Sequence, residues 1–101
     1  VGGATLTKLL GTSAWYAPGA AAAYVVESII RDQKKVIVSC TYLEGEYGQQ
    51  DICIGVPAVI GKNGVEKILS LKLTDEEKAL FEKSAAAVHK TNAVLKEINA
   101  L

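Results

Sequence analysis

The sequence predicts an α+β fold in which helices flank a three-stranded antiparallel meander. Three observations predict it. Apolar residues recur at three- and four-residue steps near both ends of the chain, the period of an amphipathic helix, and alternate singly between Lys35 and Leu73, the period of a strand. Glycine-bounded turns at Glu44–Gly48 and Gly61–Gly64 divide the alternating region into three runs. Thr74-Asp75-Glu76-Glu77 has the residues of a capping box, with three acids where a helix dipole is positive, and so opens a final helix.

Taken in order, Ala4, Leu6, Leu9 and Leu10 fall at helical spacing and Gly11 supplies a C-terminal stop, so residues from Val1 to Leu10 read as the end of a helix. Thr12 and Ser13 can cap or turn the chain into a second helix, which starts near Tyr16 or Pro18 and runs to about Gln33. Proline suits a first helical turn because its missing N–H would have had no intrahelical partner there. Ala20 to Ala23 give this helix almost no side-chain bulk, while Tyr24, Val25, Val26, Ile29 and Ile30 demand cover. The pattern predicts a buried helix with a crowded N-terminal mouth.

From Lys35 to Leu43 the chain is rich in Val, Ile, Thr and Tyr, as strands prefer. Ile52, Ile54, Val56, Ala58 and Ile60 alternate with Cys53, Gly55, Pro57 and Val59 in a second strand. Pro57 cannot donate to a ladder, so it predicts a bulge or an unpaired edge. Asn63-Gly64 is a strong hairpin signal. A third strand follows, with Val65, Leu69, Leu71 and Leu73 on one face and Glu66, Ser70 and Lys72 on the other. The last helix carries Phe81, Ser84, Val88, Thr91, Leu95 and Ile98 as its apolar stripe and ends near Leu101.

At 101 residues, half of them apolar, the chain is one globular domain at most. Eleven basic residues cancel eleven acidic ones without any basic stripe, which argues against nucleic-acid binding. No apolar run approaches the roughly 20 residues of a membrane span, and the N-terminus has no signal-peptide pattern. The chain contains no Met, so its start reads as a cut or an internal boundary.

Few residues offer chemistry. His89, the sole histidine, sits beside Lys83, Lys90 and Ala85 to Ala87 and reads as a rim residue. Cys40 and Cys53 are equidistant from the turn centre and face each other in a symmetric hairpin; two cysteines without a signal peptide favour free buried thiols. One His and two Cys do not support a zinc site. Glu44 and Glu46 lie on a tight turn, where solvated carboxylates are the default. No G-x-G-x-x-G or P-loop spacing is present, and Arg31 is the single arginine, placed at a helix end as a surface cation.

Ser13-Ala14-Trp15-Tyr16-Ala17-Pro18-Gly19, followed by Val26-Glu27-Ser28-Ile29, resembles one segment of the lactate/malate dehydrogenase family, most closely its malate dehydrogenases of lactate-dehydrogenase-like type. Tyr42-Leu43-Glu44-Gly45-Glu46-Tyr47-Gly48, then Asp51-Ile52, Gly55-Val56-Pro57, Gly61 and Gly64-Val65-Glu66-Lys67-Ile68, follows the same family in the same order. The resemblance covers nearly the whole chain.

It implies that residues 1–101 are the C-terminal part of a substrate-binding domain, with the dinucleotide-binding domain outside this chain. It implies a cytoplasmic enzyme of the tricarboxylic acid cycle that interconverts malate and oxaloacetate with NAD, the cofactor being held mainly by the other domain. In the family the matching segment passes beside nicotinamide and substrate, which implies a pocket wall of Ser13, Ala14 and Pro18. Many lactate dehydrogenases carry Thr where Ala14 aligns and an aliphatic residue where Pro18 aligns, a departure that favours malate. The family's catalytic His and Asp and its substrate-binding arginines have no counterpart here, so no catalytic and no metal residue is expected in this chain. A homo-oligomer is implied, with Ala20, Ala23 and Tyr24 near a subunit or domain contact. The alternatives are a lactate dehydrogenase or a non-enzymatic oligomerisation or interaction module.

Overall fold

A computed structural model describes residues 2–99. In chain order it holds α1 (Gly2–Leu10), α2 (Tyr16–Ile30), β1 (Lys35–Glu44), a single 3-10 turn (Glu46–Gly48), β2 (Gln50–Gly61), β3 (Gly64–Ile68) and α3 (Asp75–Glu97). The strands form one antiparallel sheet in the order β1-β2-β3. The α+β meander is therefore as the sequence predicts.

Alternation sorts the central strands. Thr41, Leu43, Ile52, Val56, Ala58 and Ile60 turn inward and are buried, while their neighbours Tyr42, Cys53 and Gly55 face out. Leu43, Ile52 and Val56 pack with Ala85 of α3, ringed by Tyr47, Ile54, Ile68, Phe81 and Val88. Burying each of the three large side chains contributes about 1.5–3 kcal/mol, so this cluster is what fixes α3 on the sheet. The start of α3 is set locally: the Thr74 hydroxyl accepts from Glu77 N at 3.2 Å and Glu77 Oε2 accepts from Thr74 N at 2.9 Å. The capping box is formed as its spacing implies.

Several expectations need correction. The α3 stripe turned to the sheet is Phe81, Ala85, Val88 and Asn92, whereas Ser84, Thr91 and Leu95 are exposed. Small Ala85 lets the helix backbone settle onto Leu43 and Ile52, which rotates the larger predicted residues outward. The helix ends at Glu97, and Leu101 lies outside the described residues, as does Val1. Helix α2 stops at Ile30 rather than Gln33 because Asp32 and Lys34 take left-handed φ of 48° and 52°. It is also largely exposed rather than buried; only Ser28 is fully covered.

Strand β3 is shorter than its pattern suggests. It ends at Ile68, so Leu71 and Leu73 lie beyond it. Its alternation is also broken: Val65 stays opposite inward Ile60, though 45% exposed, and Glu66 is the extra residue of a bulge, half-buried where it meets Lys34 at 3.1 Å. A register shift between Val59 and Ile60 makes this possible, and buried Gly61 leaves the room, since a Cβ there would collide with the Glu66 carboxylate and meet Asp32 Oδ1 at 2.8 Å.

Pro57 sits in the central strand opposite Val38, not at an edge. Its carbonyl accepts from Leu69 N at 2.9 Å, so its nitrogen points the same way, toward the Leu69 carbonyl. The donor that proline lacks there is supplied by the Tyr47 hydroxyl, which donates to Leu69 O and accepts from Leu71 N at 3.0 Å. No described helix is long and apolar enough to cross a membrane.

Candidate functional site

The family-implied site lies where α1 hands over to α2. Gly11 takes φ of 73° and its N–H closes on Thr7 O at 3.0 Å, which ends α1 and turns the chain. Trp15, not Thr12 or Ser13, is the N-cap of α2, and it makes no side-chain capping bond. The first intrahelical bond runs from Gly19 N to Trp15 O at 2.9 Å. Pro18 therefore falls within the first turn, where a missing N–H costs nothing.

The turn encloses a depression of about 550 Å³ lined by Leu6, Leu10, Thr12, Ser13, Ala14, Trp15, Tyr16 and Ala17. Ser13 and Ala14 thus share one wall, with Ala14 the more sheltered of the two. Pro18 is exposed one residue past the lining. The wall is open on its far side: Trp15 is 74% and Tyr16 95% exposed, and α1 buries no residue. The sequence reading did not single out Trp15 and Tyr16 as lining, although an aromatic pair after a helix-ending glycine was the signal available. Of the subunit-contact candidates, Ala20 and Ala23 lie bare on α2, and the Tyr24 ring carries Lys35 Nζ 4.1 Å from its centroid.

The remaining polar groups serve structure. His89 is exposed, its Nε2 3.4 Å from Gln49 Oε1 at the edge of a 340 Å³ depression that also includes Tyr42, Asp51 and Cys53. Arg31 pairs with Glu27 at 2.9 Å and its side chain is 69% exposed. Glu44 and Glu46 are no acid/base pair: Glu46 Oε2 accepts from Glu44 N at 2.7 Å, and that backbone N–H holds the Glu46 carboxyl below its ordinary value. Both cysteines are free, as expected, but exposed rather than buried. They are not opposite each other, since Cys40 pairs with Gly55 and Cys53 with Tyr42. The described residues contain no cluster of His, Cys, Asp or Glu able to hold a metal.

One polar assembly went unread in the sequence. Asp32 Oδ1 accepts from Lys62 N at 3.0 Å, and Lys34 Nζ reaches both Asp32, at 3.6 Å, and Glu66. The Lys62 N–H, with the charges of Lys34 and Lys62, lowers the Asp32 pKa; the hydrogen bond to Glu66, aided by Asp32, raises that of Lys34. This cluster fastens the α2–β1 loop to the β2–β3 turn and so holds α2, with its pocket wall, against the sheet.

Residues 2–98 match the family model of the lactate/malate dehydrogenase alpha/beta C-terminal domain. The chain belongs to the lactate/malate dehydrogenase family. It is 72% identical over its full 101 residues to a malate dehydrogenase of Parabacteroides distasonis and 71% identical to one of Bacteroides fragilis, covering 32% of each. The malate dehydrogenase of Salinibacter ruber superposes with a TM-score of 0.94 at 42% identity over 98% of this chain and 32% of that one. A lactate dehydrogenase from Eimeria maxima, solved with NADH and oxamate, gives 0.92 at 38% identity over 98% of this chain and 31% of that one. The chain thus spans about a third of the length of the relatives it matches.

Proposed function

We propose that this dehydrogenase domain is the C-terminal third of an NAD-dependent malate dehydrogenase and forms one wall of its substrate pocket. The observation that carries the reading is the match of the entire chain, at 71–72% identity, to proteins named malate dehydrogenase. Identity to the lactate dehydrogenase from Eimeria maxima is 38%, which makes lactate the second choice. A free-standing interaction module is the least favoured reading, because the relatives are enzymes three times longer. Residues 1–101 then belong to the substrate-binding domain, and the dinucleotide-binding domain lies in the remainder of the polypeptide.

The lining of the depression is apolar apart from the hydroxyls of Thr12, Ser13 and Tyr16 and the indole N–H of Trp15, which suits a flat ring and a small polar substrate. It does not suit pyrophosphate, since no glycine-rich loop or cation is present there. NAD, when bound, supplies the acceptor for the hydride leaving C2 of malate. Ser13 and Ala14 do the shaping: their small side chains leave room for a dicarboxylate, and the Ser13 hydroxyl offers it one hydrogen bond. Pro18, one residue past the lining, stiffens the entry of α2 and would offer the nicotinamide an apolar neighbour when NAD is bound. The carboxylates and the transferred proton require an arginine and a base from the rest of the enzyme. The intact protein works in the cytoplasm as a homo-oligomer, with Ala20, Ala23 and Tyr24 letting a neighbouring helix approach closely.

Steady-state kinetics test the reading. The 101-residue sequence is joined to the N-terminal two-thirds of the Parabacteroides distasonis relative, and NADH oxidation is followed with oxaloacetate and with pyruvate. Oxaloacetate is the expected substrate, and Ala14→Leu is expected to raise its KM about tenfold or more by filling the wall. Preference for pyruvate removes the malate assignment; an unchanged KM removes Ala14 from the pocket.

A further inference from the structure

Helix α2 is held to the sheet at one end only. Residues 16–24 are all exposed, and cover begins at Val25 and continues through Glu27, Ser28 and Ile29. With 15 residues the helix is about 22 Å long, and Ser13 and Ala14 of the proposed pocket wall stand just beyond its free end. Tilting it by about 5° about its anchored end swings that wall by about 2 Å. What sets the angle lies just past the anchored end. Residues 31–34 link α2 directly to β1, and two of the four, Asp32 and Lys34, take left-handed φ of 48° and 52°. For lysine that conformation is uncommon and is kept where the surroundings impose it. The β2–β3 turn imposes it at both positions: Asp32 Oδ1 accepts from Lys62 N at 3.0 Å, and Lys34 Nζ donates to Glu66 Oε2 at 3.1 Å and to Oε1 at 3.4 Å. The Lys34–Glu66 contact is no ordinary surface pair. Glu66 is the bulged residue of β3, its side chain is only 18% exposed, and its Oε1 also accepts from Asn63 Nδ2 at 3.4 Å. The bare Cα of Gly61 leaves room for its carboxylate. A bulge, a glycine and a left-handed lysine thus converge on one carboxylate far from the pocket wall.

We propose that Lys34 and Glu66 are positioning residues of the dehydrogenase reaction: their ion pair fixes the angle of α2 and, through it, the place of Ser13 and Ala14 against the substrate. The proposal rests on the pocket-wall reading above. Neither side chain lines the depression, so both act through the helix. The leverage is sufficient, because a misplacement of about 1 Å caused far from the chemistry can cost about a hundredfold in rate. The pair also sits where it can exert it. The loop it fixes follows the last covered turn of α2, and nothing among residues 16–24 is buried to correct an error made there.

Steady-state kinetics of the full-length fusion described above test it. Lys34→Met removes the charge from a side chain that is 57% exposed and keeps most of its stem, so the fold tolerates it. It is expected to raise the oxaloacetate KM at least about fivefold and the NADH KM less than about twofold, since on this reading the dinucleotide is held mainly by the other domain. Lys34→Arg is expected to stay within about twofold of the parent. Glu66→Ala is expected to match Lys34→Met, and the double variant to exceed neither by more than about twofold, because all three lose one and the same interaction. Arg31→Met breaks the exposed pair with Glu27 inside α2 and is expected to keep the parent KM. A merely structural role lowers the folded fraction, and with it kcat, at constant KM. An unchanged oxaloacetate KM in Lys34→Met, or single effects that add in the double variant, overturns the proposal. The unsubstituted fusion tests the malate dehydrogenase reading separately: if pyruvate is its better substrate that reading fails, and the positioning proposal is decided by the same comparison of pyruvate KM values.

Discussion

Ser28→Ala removes the one fully buried contact of α2. Ser28 is 0% exposed, and its hydroxyl donates to the Ile60 carbonyl at 2.7 Å. The rest of the helix rests on half-buried Val25, Glu27 and Ile29 and on the Tyr24 ring beneath Lys35. Alanine is accommodated without strain but deprives the Ile60 carbonyl of its donor where water does not reach. Net loss of one such bond, with the acceptor left dry, costs about 1–2 kcal/mol. For a domain of this size that lowers Tm by about 4–16 °C. Urea unfolding followed by far-UV circular dichroism measures the loss. Trp15, the sole tryptophan, stands at the N-cap of α2 and reports on that helix by fluorescence. The midpoint is expected to fall with an unchanged slope, and Ser28→Cys, a weaker donor, to lie between the two. A change below about 0.3 kcal/mol in Ser28→Ala refutes the claim that this bond seats α2 on the sheet.

Tyr47→Phe leaves Leu69 O and Leu71 N without the hydroxyl that stands in for the missing Pro57 donor, and is expected to cost about 1–2 kcal/mol by the same measurement. Thr74→Ala breaks the capping box and is expected to cost about 1 kcal/mol, while Thr74→Ser retains most of it. Asp32 and Glu46 have depressed carboxyl pKa values, so their contribution is present above the ordinary carboxylate range and lost as pH falls through the folded values, below about pH 4. Asp32→Asn with Glu46→Gln is therefore expected to flatten the acid limb of a stability–pH curve. Lys34 has a raised pKa through its bond to Glu66, so its contribution persists through neutral pH and is lost only on the alkaline side, above about pH 10.5.

What the sequence disclosed was decided within a few residues. The capping box at Thr74, the stop at Gly11 and the alternation of Ile52 to Ile60 each depend on neighbours, and each is found as read. What it hid depends on distant partners. Glu66 is half-buried because Lys34, 32 residues away, pairs with it and the bare Cα of Gly61 leaves it room. Pro57 tolerates a central strand because the Tyr47 hydroxyl arrives from another segment. Cys40 and Cys53 miss each other because the 3-10 turn at Glu46–Gly48 and the irregularity between Leu43 and Glu44 displace the hairpin from its symmetric register. At the candidate site, small residues before a proline were visible as an unusual helix entry. The role proposed for them comes only from family resemblance, because one side of a pocket without its opposite side carries no chemical signature.

The measurement that tests the central claim most directly is oxaloacetate-dependent NADH oxidation by the 101-residue chain alone beside the full-length fusion at equal molarity. The account expects no turnover by the chain alone, which has no base or arginine placed at the wall, and turnover by the fusion. Activity in the chain alone, or a folded fusion that oxidises NADH with neither oxaloacetate nor pyruvate, would contradict it.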